Sequence, residues 1–233
     1  MNNCFIILAG GESKRFNSKI PKPYHLYKGK PLLLHSIDKA KSYNKFHKIV
    51  LVINKKHKNF IKKFKISGVK IIEGGKTRAE SAYKGLKSIK NYKIKKVMIH
   101  DAARPNFSLK LLDKLNEELK FNDCVIPAIQ SRDSVKQKLS NKIINLNREN
   151  IYLIQTPQAF NYKKLYKLQG NKSIEVTDDA NLFVNAGKKI KIIKGEIDNN
   201  KITINSDIKT NNSIKYGLGF DVHRLIPNKK LYL

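Results

Sequence analysis

Short runs of apolar, often β-branched residues alternate with segments of helical periodicity through the first half of the chain. Strand-like runs cover residues 5–9, 48–53, 69–73, 95–100 and 123–127, and helical patterns cover 32–42, 57–64, 77–89 and 109–119. Strands that alternate with helices are joined by right-handed crossovers and form a parallel sheet covered on both faces. The sequence therefore predicts an α/β fold with a mostly parallel, doubly wound sheet, whose ligands bind beyond the carboxyl ends of the strands.

The first strand-like run ends in a glycine pair that is followed by two cations. Ala9, Gly10 and Gly11 close the run, and Arg15 and Lys22 come next in the chain. Adjacent glycines let the backbone approach an anion closely and turn its N–H groups toward it. A plain strand-to-helix turn is the alternative, but two cations in one loop favour a phosphate site. The spacing matches neither a P-loop nor the dinucleotide-binding glycine pattern.

The net charge of +30 raises the alternative of a basic nucleic-acid-binding protein. Of the 48 basic residues only six are arginines, and the lysines are spread over the whole 233-residue chain. Base readers and bidentate phosphate binders rely on arginine, so we expect solvated charged faces and no specific nucleic-acid partner. Tight, salt-dependent binding to random duplex DNA would contradict this expectation.

Features of secreted and membrane proteins are missing from the sequence pattern. No apolar run approaches the roughly 18 residues of a membrane span, and the N-terminus lacks the basic and apolar regions of a signal peptide. Cys4 and Cys124 each adjoin an apolar run, as buried thiols in a reducing compartment do. We therefore expect a cytoplasmic protein of one α/β domain that does not bind membranes.

Two further loops follow strand-like runs and carry residues suited to a nucleotide site. Asp101 follows the fourth run, where a carboxylate near a phosphate loop suits a Mg²⁺ ligand; an ordinary turn aspartate is the alternative. A second glycine loop, Gly74-Gly75, precedes a helix. Thr77 and Glu80 have the spacing of a capping box at the start of that helix.

The pattern changes after residue 127. Residues 134–138 and 142–146 flank a Ser140-Asn141 turn and predict a β-hairpin, which is as consistent with a surface hairpin as with a dimerisation arm at about 131–150. The chain then returns through residues 152–155 and Thr156-Pro157-Gln158 to helices near 162–168 and 178–186 and a strand at 190–193. Thr177 has the position of an N-cap residue for the second of these helices, and Asp178 and Asp179 suit its first turn.

Taken together, these loops resemble one enzyme family. The resemblance rests on Ala9-Gly10-Gly11, Lys14-Arg15, Pro21-Lys22, Gly74-Gly75 with Arg78 and Ser81, His100-Asp101-Ala102-Ala103-Arg104-Pro105, Thr156-Pro157-Gln158, Thr177-Asp178 and Lys201-Ile202-Thr203. Their order and spacing over residues 3–210 are similar to those of 2-C-methyl-D-erythritol 4-phosphate cytidylyltransferases of the non-mevalonate isoprenoid pathway. The resemblance implies a Rossmann-like nucleotidyltransferase fold for residues 1–210, and transfer of CMP from CTP to methylerythritol phosphate with release of pyrophosphate.

The resemblance also implies roles for individual residues. Arg15, Lys22 and Lys201 would hold the triphosphate and stabilise charge at the α-phosphorus, and Asp101 would lie beside Mg²⁺, or another divalent cation, and the ribose. The implied CTP contacts further include Ala9, Gly10, Gly11, Gly74, Gly75, Ser81 and Ala102. The implied contacts with methylerythritol phosphate are made by Arg104, Thr156 and Thr177. They also include Ser134 and the catalytic Arg148, which the hairpin of a homodimer partner would supply. Lys76 stands where well-known members have an acidic residue, which leaves its contact with ribose open.

The end of the chain resembles the start of a second enzyme of the same pathway. Residues 216–225 are similar to the opening of methylerythritol cyclodiphosphate synthase, in which Asp221 and His223 would be two zinc ligands on one face of a strand. A catalytic zinc site usually has three protein ligands, and the sequence ends at Leu233. We therefore expect residues 211–233 to be a linker and an incomplete strand without synthase activity, zinc binding being left to the complete second domain.

Two alternatives keep the same fold. The first is a ribitol-phosphate or other sugar-phosphate cytidylyltransferase, which differs in its acceptor. The second is an inactive remnant of a bifunctional enzyme. The synthase-like segment favours the isoprenoid pathway because fused enzymes tend to share a pathway, and the intact set of loops argues against decay.

Overall fold

A computed structural model describes residues 2–11, 16, 18, 20–170 and 178–209. The strands are β1 (Asn3–Ala9), β2 (Leu26–Tyr27), β3 (Lys30–Pro31), β4 (Lys48–Ile53), β5 (Lys70–Glu73), β6 (Lys96–Asp101), β7 (Cys124–Gln130), β8 (Val135–Leu139), β9 (Lys142–Leu146), β10 (Tyr152–Ile154), β11 (Gln158–Asn161) and β12 (Lys191–Lys194). The helices are α1 (Leu32–Ser42), α2 (Lys58–Ile61), α3 (Arg78–Lys87), α4 (Leu109–Glu118), α5 (Tyr162–Gln169), α6 (Asn181–Asn185) and α7 (Ser206–Lys209). Within these ranges, none of the helices combines the length and the apolar character that crossing a membrane requires.

The central sheet has eight strands and is mostly parallel, as the alternation of strands and helices predicts. Its order is β10-β7-β11-β6-β1-β4-β5, and β12 pairs with β7. Strands β4 and β6 flank β1 in parallel, β5 continues beyond β4 in parallel, and β12 runs parallel to β7. Strand β11 lies antiparallel between β6 and β7, with Gln158 opposite Ile99 and Phe160 opposite Cys124. This segment was predicted only as part of a motif, and its strand was not predicted.

The two faces of the sheet carry separate apolar clusters, which explains why β1 is apolar along its whole length. Phe5, Ile7 and Ala9 pack with α1, α2 and α4, whereas Cys4 and Ile6 pack with α3, α5 and α6 on the opposite face. A parallel strand covered on both faces needs apolar residues at every position rather than at alternate ones. This arrangement is the doubly wound architecture that the sequence predicts.

Both cysteines are buried and unbonded to each other, as expected. Burial raises the pKa of the Cys4 thiol to about 12, and burial likewise raises the pKa of Cys124 well above its ordinary value. Both side chains therefore remain protonated and act as small apolar groups in the core.

The start of α3 confirms most of the predicted capping box. The Thr77 hydroxyl accepts a hydrogen bond from the Glu80 N–H at 3.1 Å. The Glu80 carboxylate accepts from the Lys76 N–H at 2.7 Å, one residue earlier than the usual capping box. These bonds satisfy N–H groups at the helix start and fix the second glycine loop relative to α3.

Helix α2 is shorter than the predicted helix over 57–64. A 3₁₀ turn at Lys55–His57 precedes it, and the Asn54 side chain accepts from the Lys56 N–H at 2.9 Å. Lysines at positions 58 and 62 place like charges four residues apart, which disfavours a longer helix. The second predicted helix near 178–186 is also shorter, and α6 covers only its central part.

Strands β8 and β9 form the predicted hairpin, with Val135 opposite Leu146 and Leu139 opposite Lys142. Ser140 in the turn has a positive φ of 48°. Large apolar residues on the hairpin are exposed, notably Ile143 at 69%. The hairpin therefore carries apolar surface that the described part of this one chain leaves uncovered.

Candidate functional site

A cavity of about 310 Å³ lies at the carboxyl ends of β1 and β6, in the crevice that a parallel sheet predicts. Its walls come from both glycine loops, the segment after β6, and two distant lysines. The lining residues are Leu8, Ala9, Gly10, Gly11, Lys22, Pro23, Leu32, Gly75, Lys76, Thr77, Arg78, Ser81, Asp101, Ala102, Ala103, Lys201 and Thr203. The structure thus brings together most of the described residues that the sequence assigned to CTP.

The second glycine loop lies so close to α3 that side chains are excluded at both of its glycines. A Cβ atom on Gly74 would lie 2.6 Å from the Ser81 Oγ, and one on Gly75 would lie 2.2 Å from the Glu80 Cβ. The Ser81 hydroxyl accepts from the Gly75 N–H at 3.0 Å and donates to the Thr77 carbonyl at 2.9 Å. Ser81 therefore holds the second loop in place, and backbone rather than side chains lines this wall.

Asp101 is the centre of an ion-pair network at the floor of the cavity. Its Oδ1 accepts from the Arg78 Nε at 3.1 Å, and its Oδ2 accepts from the Lys201 Nζ at 2.7 Å. Burial alone would raise the pKa of Asp101, but Arg78 and Lys201 outweigh it and hold the pKa well below its usual range. The carboxylate is therefore ionised at neutral pH, with a cation on each oxygen.

Lys22 approaches the cavity from the opening loop and is tied to the segment that carries Lys201. Its Nζ donates to the Ile202 carbonyl at 2.9 Å, and the Ile202 N–H donates to the Ala103 carbonyl at 2.9 Å. The Ile202 side chain packs with Phe16 in a small apolar cluster. Lys22 and Lys201, which are far apart in the sequence, thus line one cavity, and the segment at Ile202 contacts Lys22 and carries Lys201.

Thr156 lies below the cavity in a chain of hydrogen bonds with His100. The Thr156 hydroxyl oxygen lies 3.1 Å from the Asp101 N–H and 3.0 Å from the His100 Nδ1, and the His100 Nε2 lies 3.1 Å from the Arg104 carbonyl. Because a carbonyl only accepts, Nε2 carries the proton and Nδ1 accepts from Thr156. Burial lowers the pKa of His100 to about 3, so the ring is neutral. Thr156 itself is buried and lies outside the cavity lining.

Arg104 points away from the cavity toward backbone carbonyls. Its Nη1 donates to the Asn199 carbonyl at 2.8 Å and its Nη2 to the Ile154 carbonyl at 3.1 Å. The Asn199 bond anchors the segment that leads to Lys201. In this conformation Arg104 supports the position of Lys201, and its predicted contact with the acceptor phosphate stays a prediction.

The hairpin residues Ser134 and Arg148 do not meet the cavity of their own chain. Both are exposed, and the Arg148 Nη1 donates to the Arg132 carbonyl at 3.2 Å. Four other predicted site residues, Arg15, Thr177, Asp221 and His223, lie outside the described residues. Where Thr177 was the expected cap, the neighbouring carboxylate of Asp178 accepts from the Ala180 N–H at 2.9 Å.

Arg78, Asp179 and His100 have roles in the structure that the sequence did not predict. Arg78 was noted only as part of a motif, although a cation at the start of a helix beside a glycine loop is an unusual choice, since helix N-termini favour anions. Asp179 was interpreted as a first-turn acid. His100 was quoted as a neighbour of Asp101 and assigned no function.

The fit of a divalent cation can be judged from Asp101. In the described ranges there is no group of three or more His, Cys, Asp or Glu side chains that could hold a metal ion. Mg²⁺, however, usually takes one or two carboxylates and completes its shell with substrate phosphates and water. Asp101 supplies one such carboxylate at the cavity floor, and its Oδ2 becomes available when the half-exposed Lys201 moves away. The residues present therefore fit a cation that is bound together with a nucleotide.

Comparison with known proteins identifies the family. The family model described as "IspD: 2-C-methyl-D-erythritol 4-phosphate cytidylyltransferase" matches residues 3–215. The bifunctional enzyme IspD/IspF of Pelagibacter ubique is 79% identical over 233 residues, which is all of this chain and 63% of that protein. The 2-C-methyl-D-erythritol 4-phosphate cytidylyltransferase of Fusobacterium nucleatum is 37% identical over 220 residues, covering 88% of this chain and 93% of that protein.

Solved structures give the same result. The 4-diphosphocytidyl-2C-methyl-D-erythritol synthase of Anaerococcus prevotii aligns with a TM-score of 0.79 and 32% identity, covering 90% of this chain and 96% of that one. The bifunctional IspDF of Campylobacter jejuni aligns with a TM-score of 0.79 and 36% identity, covering 91% of this chain and 55% of that one. The chain thus spans about three fifths of the bifunctional relatives and nearly the whole of the single-function ones. It belongs to the 2-C-methyl-D-erythritol 4-phosphate cytidylyltransferase family.

Proposed function

We propose that this chain transfers the cytidylyl group of CTP to 2-C-methyl-D-erythritol 4-phosphate, giving 4-diphosphocytidyl-2-C-methyl-D-erythritol and pyrophosphate. Family membership supports the reaction class and both substrates. The observation that carries the proposal is that residues of both glycine loops line the same cavity as Lys22 and Lys201. Such a cavity suits a polyphosphate, because the ammonium groups attract anions and the adjacent glycines of the first loop let its backbone approach an anion closely.

The reaction needs positive charge more than it needs a base. An oxygen of the acceptor phosphate forms a bond to the α-phosphorus of CTP, and the bond from that phosphorus to the β-bridging oxygen breaks, so pyrophosphate leaves. The attacking oxygen is already anionic, and the barrier is the approach of one anion to another. Lys22 and Lys201 lower this barrier by positioning the triphosphate and stabilising charge that increases in the transition state, and Arg15 adds a third cation.

The remaining cavity residues position the nucleotide. Gly74 and Gly75 form the wall against the cytosine base, and the Ser81 oxygen supports that wall while remaining close to the base. Backbone at Ala9, Gly10, Gly11 and Ala102 lies along the ribose and phosphates. When a divalent cation is bound it supplies further positive charge at the phosphates, and Asp101 is the residue that holds it.

The acceptor site draws on two subunits. Ser134 and Arg148 are exposed on the hairpin and lie outside their own cavity, so a homodimer in which the hairpin crosses to the partner would bring them to the partner's acceptor phosphate. Exposed apolar residues along the hairpin support such an interface. Arg104, Thr156 and Thr177 are the remaining acceptor residues of this proposal, although Arg104 and Thr156 lie outside the cavity lining in this structure.

The segment 211–233 belongs in this proposal to a second, synthase-like region. The alignment with the Pelagibacter bifunctional enzyme extends over all 233 residues and so includes it. Asp221 and His223 are two zinc ligands of that region and require a third ligand from further residues. We place the enzyme in the cytoplasm, with its two small-molecule substrates and a second copy of itself as partners, and without specific nucleic-acid or membrane partners.

Release of pyrophosphate tests the proposal directly. The protein is incubated with Mg²⁺, CTP and either methylerythritol phosphate or ribitol 5-phosphate. We expect release with the first acceptor alone; release with ribitol phosphate alone would replace the acceptor, and no release with either would overturn the reaction.

The role of Lys22 is tested in the same assay. Lys22→Ala should lower kcat by at least ~100-fold with a smaller effect on CTP affinity, because the ammonium acts mainly in the transition state. Lys65→Ala removes an exposed lysine that lies outside the cavity lining and is the matched control. A loss of CTP affinity with unchanged kcat would contradict the assigned role.

A further inference from the structure

Four charged side chains alternate in sign from the protein interior to the cavity. The Asp179 Oδ2 accepts from the Arg78 Nη1 at 2.9 Å, the Arg78 Nε donates to the Asp101 Oδ1 at 3.1 Å, and the Asp101 Oδ2 accepts from the Lys201 Nζ at 2.7 Å. The proposed reaction uses the two side chains nearest the cavity, Asp101 and Lys201. Asp179 and Arg78 have no part in it so far.

The end of this row formed by Asp179 and Arg78 is buried. The Asp179 side chain is 0% exposed, and the side chain of Arg78 is 22% exposed. A buried carboxylate is costly unless a cation pairs with it, so Asp179 holds Arg78 strongly. Among the described residues, Arg78 Nη2 and Asp179 Oδ1 are buried without a hydrogen-bond partner. The ion pair is therefore retained although each group leaves a polar atom unsatisfied.

The guanidinium of Arg78 links the buried carboxylate of Asp179 to the carboxylate of Asp101 at the cavity. Its planar fork directs Nη1 toward one carboxylate and Nε toward another, so both partners are fixed relative to each other. A lysine at this position would have one nitrogen at the end of a flexible chain and would not hold both carboxylates in one orientation. With Oδ1 occupied by Arg78, Asp101 presents Oδ2 toward Lys201.

We propose that Arg78 is a positioning residue of the transfer site. Asp179 anchors Arg78, and Arg78 fixes the orientation of Asp101. Asp101 then holds Lys201 in the cavity until the triphosphate binds the Lys201 ammonium in its place. The inference rests on the proposed function. Arg78 takes up part of the attraction of the Asp101 carboxylate, so Lys201 is held less tightly than by an unpaired carboxylate. A triphosphate, which carries several negative charges, can then take over the ammonium. Without Arg78, Asp101 retains Lys201 and the reaction slows.

The test uses a charge-balanced variant so that no buried carboxylate is left without its cation. Arg78→Gln combined with Asp179→Asn removes one positive and one negative charge. We expect the double variant to bind CTP within about threefold of the unmodified protein while its kcat falls at least about tenfold, because a displaced catalytic group costs rate. Calorimetry measures CTP binding, and thermal unfolding verifies the fold.

A matched control is the exposed ion pair of Lys164 and Asp123. Lys164→Gln combined with Asp123→Asn makes the same change of charge away from the cavity and should leave kcat within about twofold. Arg78→Lys keeps the charge without the fork and should not restore kcat. The reactivity of Lys201 toward an amine-modifying reagent, mapped by mass spectrometry without nucleotide, should be lower in the Arg78/Asp179 double variant.

The outcomes separate this inference from the function on which it rests. No pyrophosphate release by the unmodified protein overturns the proposed function and the inference with it. An active unmodified protein whose double variant retains full kcat and unchanged Lys201 reactivity overturns the inference alone. Full recovery of kcat by Arg78→Lys also overturns it, because charge without geometry would then suffice.

Discussion

The buried imidazole of His100 makes the stability of this protein sensitive to mild acid. The ring is fully buried between Phe5 and Phe107, with ring centroids 5.6 and 4.4 Å away. Burial lowers its pKa from 6.5 to about 3. A histidine whose pKa is lowered by folding contributes full stability above its unfolded pKa. That stability is lost as the pH falls from 6.5 toward 3, because the unfolded chain binds the proton first.

The size of the effect follows from the two pKa values. Each pH unit in which the unfolded ring is protonated and the folded ring is neutral costs about 1.4 kcal/mol. Relative to pH 7, the free energy of unfolding should fall by about 2 kcal/mol at pH 5 and by about 3 kcal/mol at pH 4 from this one group. For a domain of ordinary stability, such a loss is a substantial fraction of the total.

Urea unfolding at several pH values measures this loss. The variant His100→Gln keeps an N–H donor but cannot be protonated, so the slope of its unfolding free energy between pH 5 and 7 should be shallower by about 1 kcal/mol per pH unit. A constant offset between the two proteins would report lost packing. His35, whose pKa burial also lowers but which is only partly buried, provides the control variant His35→Gln with a smaller change of slope. Equal slopes for the unmodified protein and His100→Gln would refute the reasoning.

Three further outcomes are expected. Gly75→Ala should raise the KM for CTP by at least about tenfold, since the new Cβ would lie 2.2 Å from the Glu80 Cβ; Gly170→Ala, whose Cβ would meet ordinary contacts, is the control in the same steady-state assay. Thr77→Ala should lower the free energy of unfolding by ~1 kcal/mol through loss of the α3 cap, as urea titration would measure. Arg148→Ala should raise the KM for the acceptor phosphate with CTP affinity unchanged, and mixed dimers with Lys22→Ala should regain activity. Mixed dimers without any recovery would contradict an acceptor site shared between subunits.

The local sequence pattern was sufficient to predict most of the strands and helices. The apolar runs of β1, β4, β6 and β7 and the helices between them are visible as periodicity, because a parallel strand covered on both faces must be apolar throughout. The glycine loops could be located for a similar reason, since they follow strand ends directly. The cavity therefore lies where the alternation of elements predicts it.

The antiparallel strand β11 was not predictable in the same way. Its residues, Gln-Ala-Phe-Asn, are too few for a periodic pattern, and only the space between β6 and β7 makes them a strand. The shortness of α2 was likewise not predicted from its helical periodicity, although the like charges at positions 58 and 62 disfavour a longer helix.

The polar partners at the site were decided by tertiary structure alone. Arg78 and Asp179 are 101 positions apart, and His100 and Thr156 are 56 apart. Nothing local distinguishes Asp179 from an exposed first-turn acid, or Arg104 from a ligand-binding cation. Whether a charge faces solvent, a ligand or another charge depends on which elements the topology stacks around it, since burial makes an unpaired charge costly. The sequence therefore predicted where the site lies, whereas the partners of each charged group were determined only by the tertiary structure.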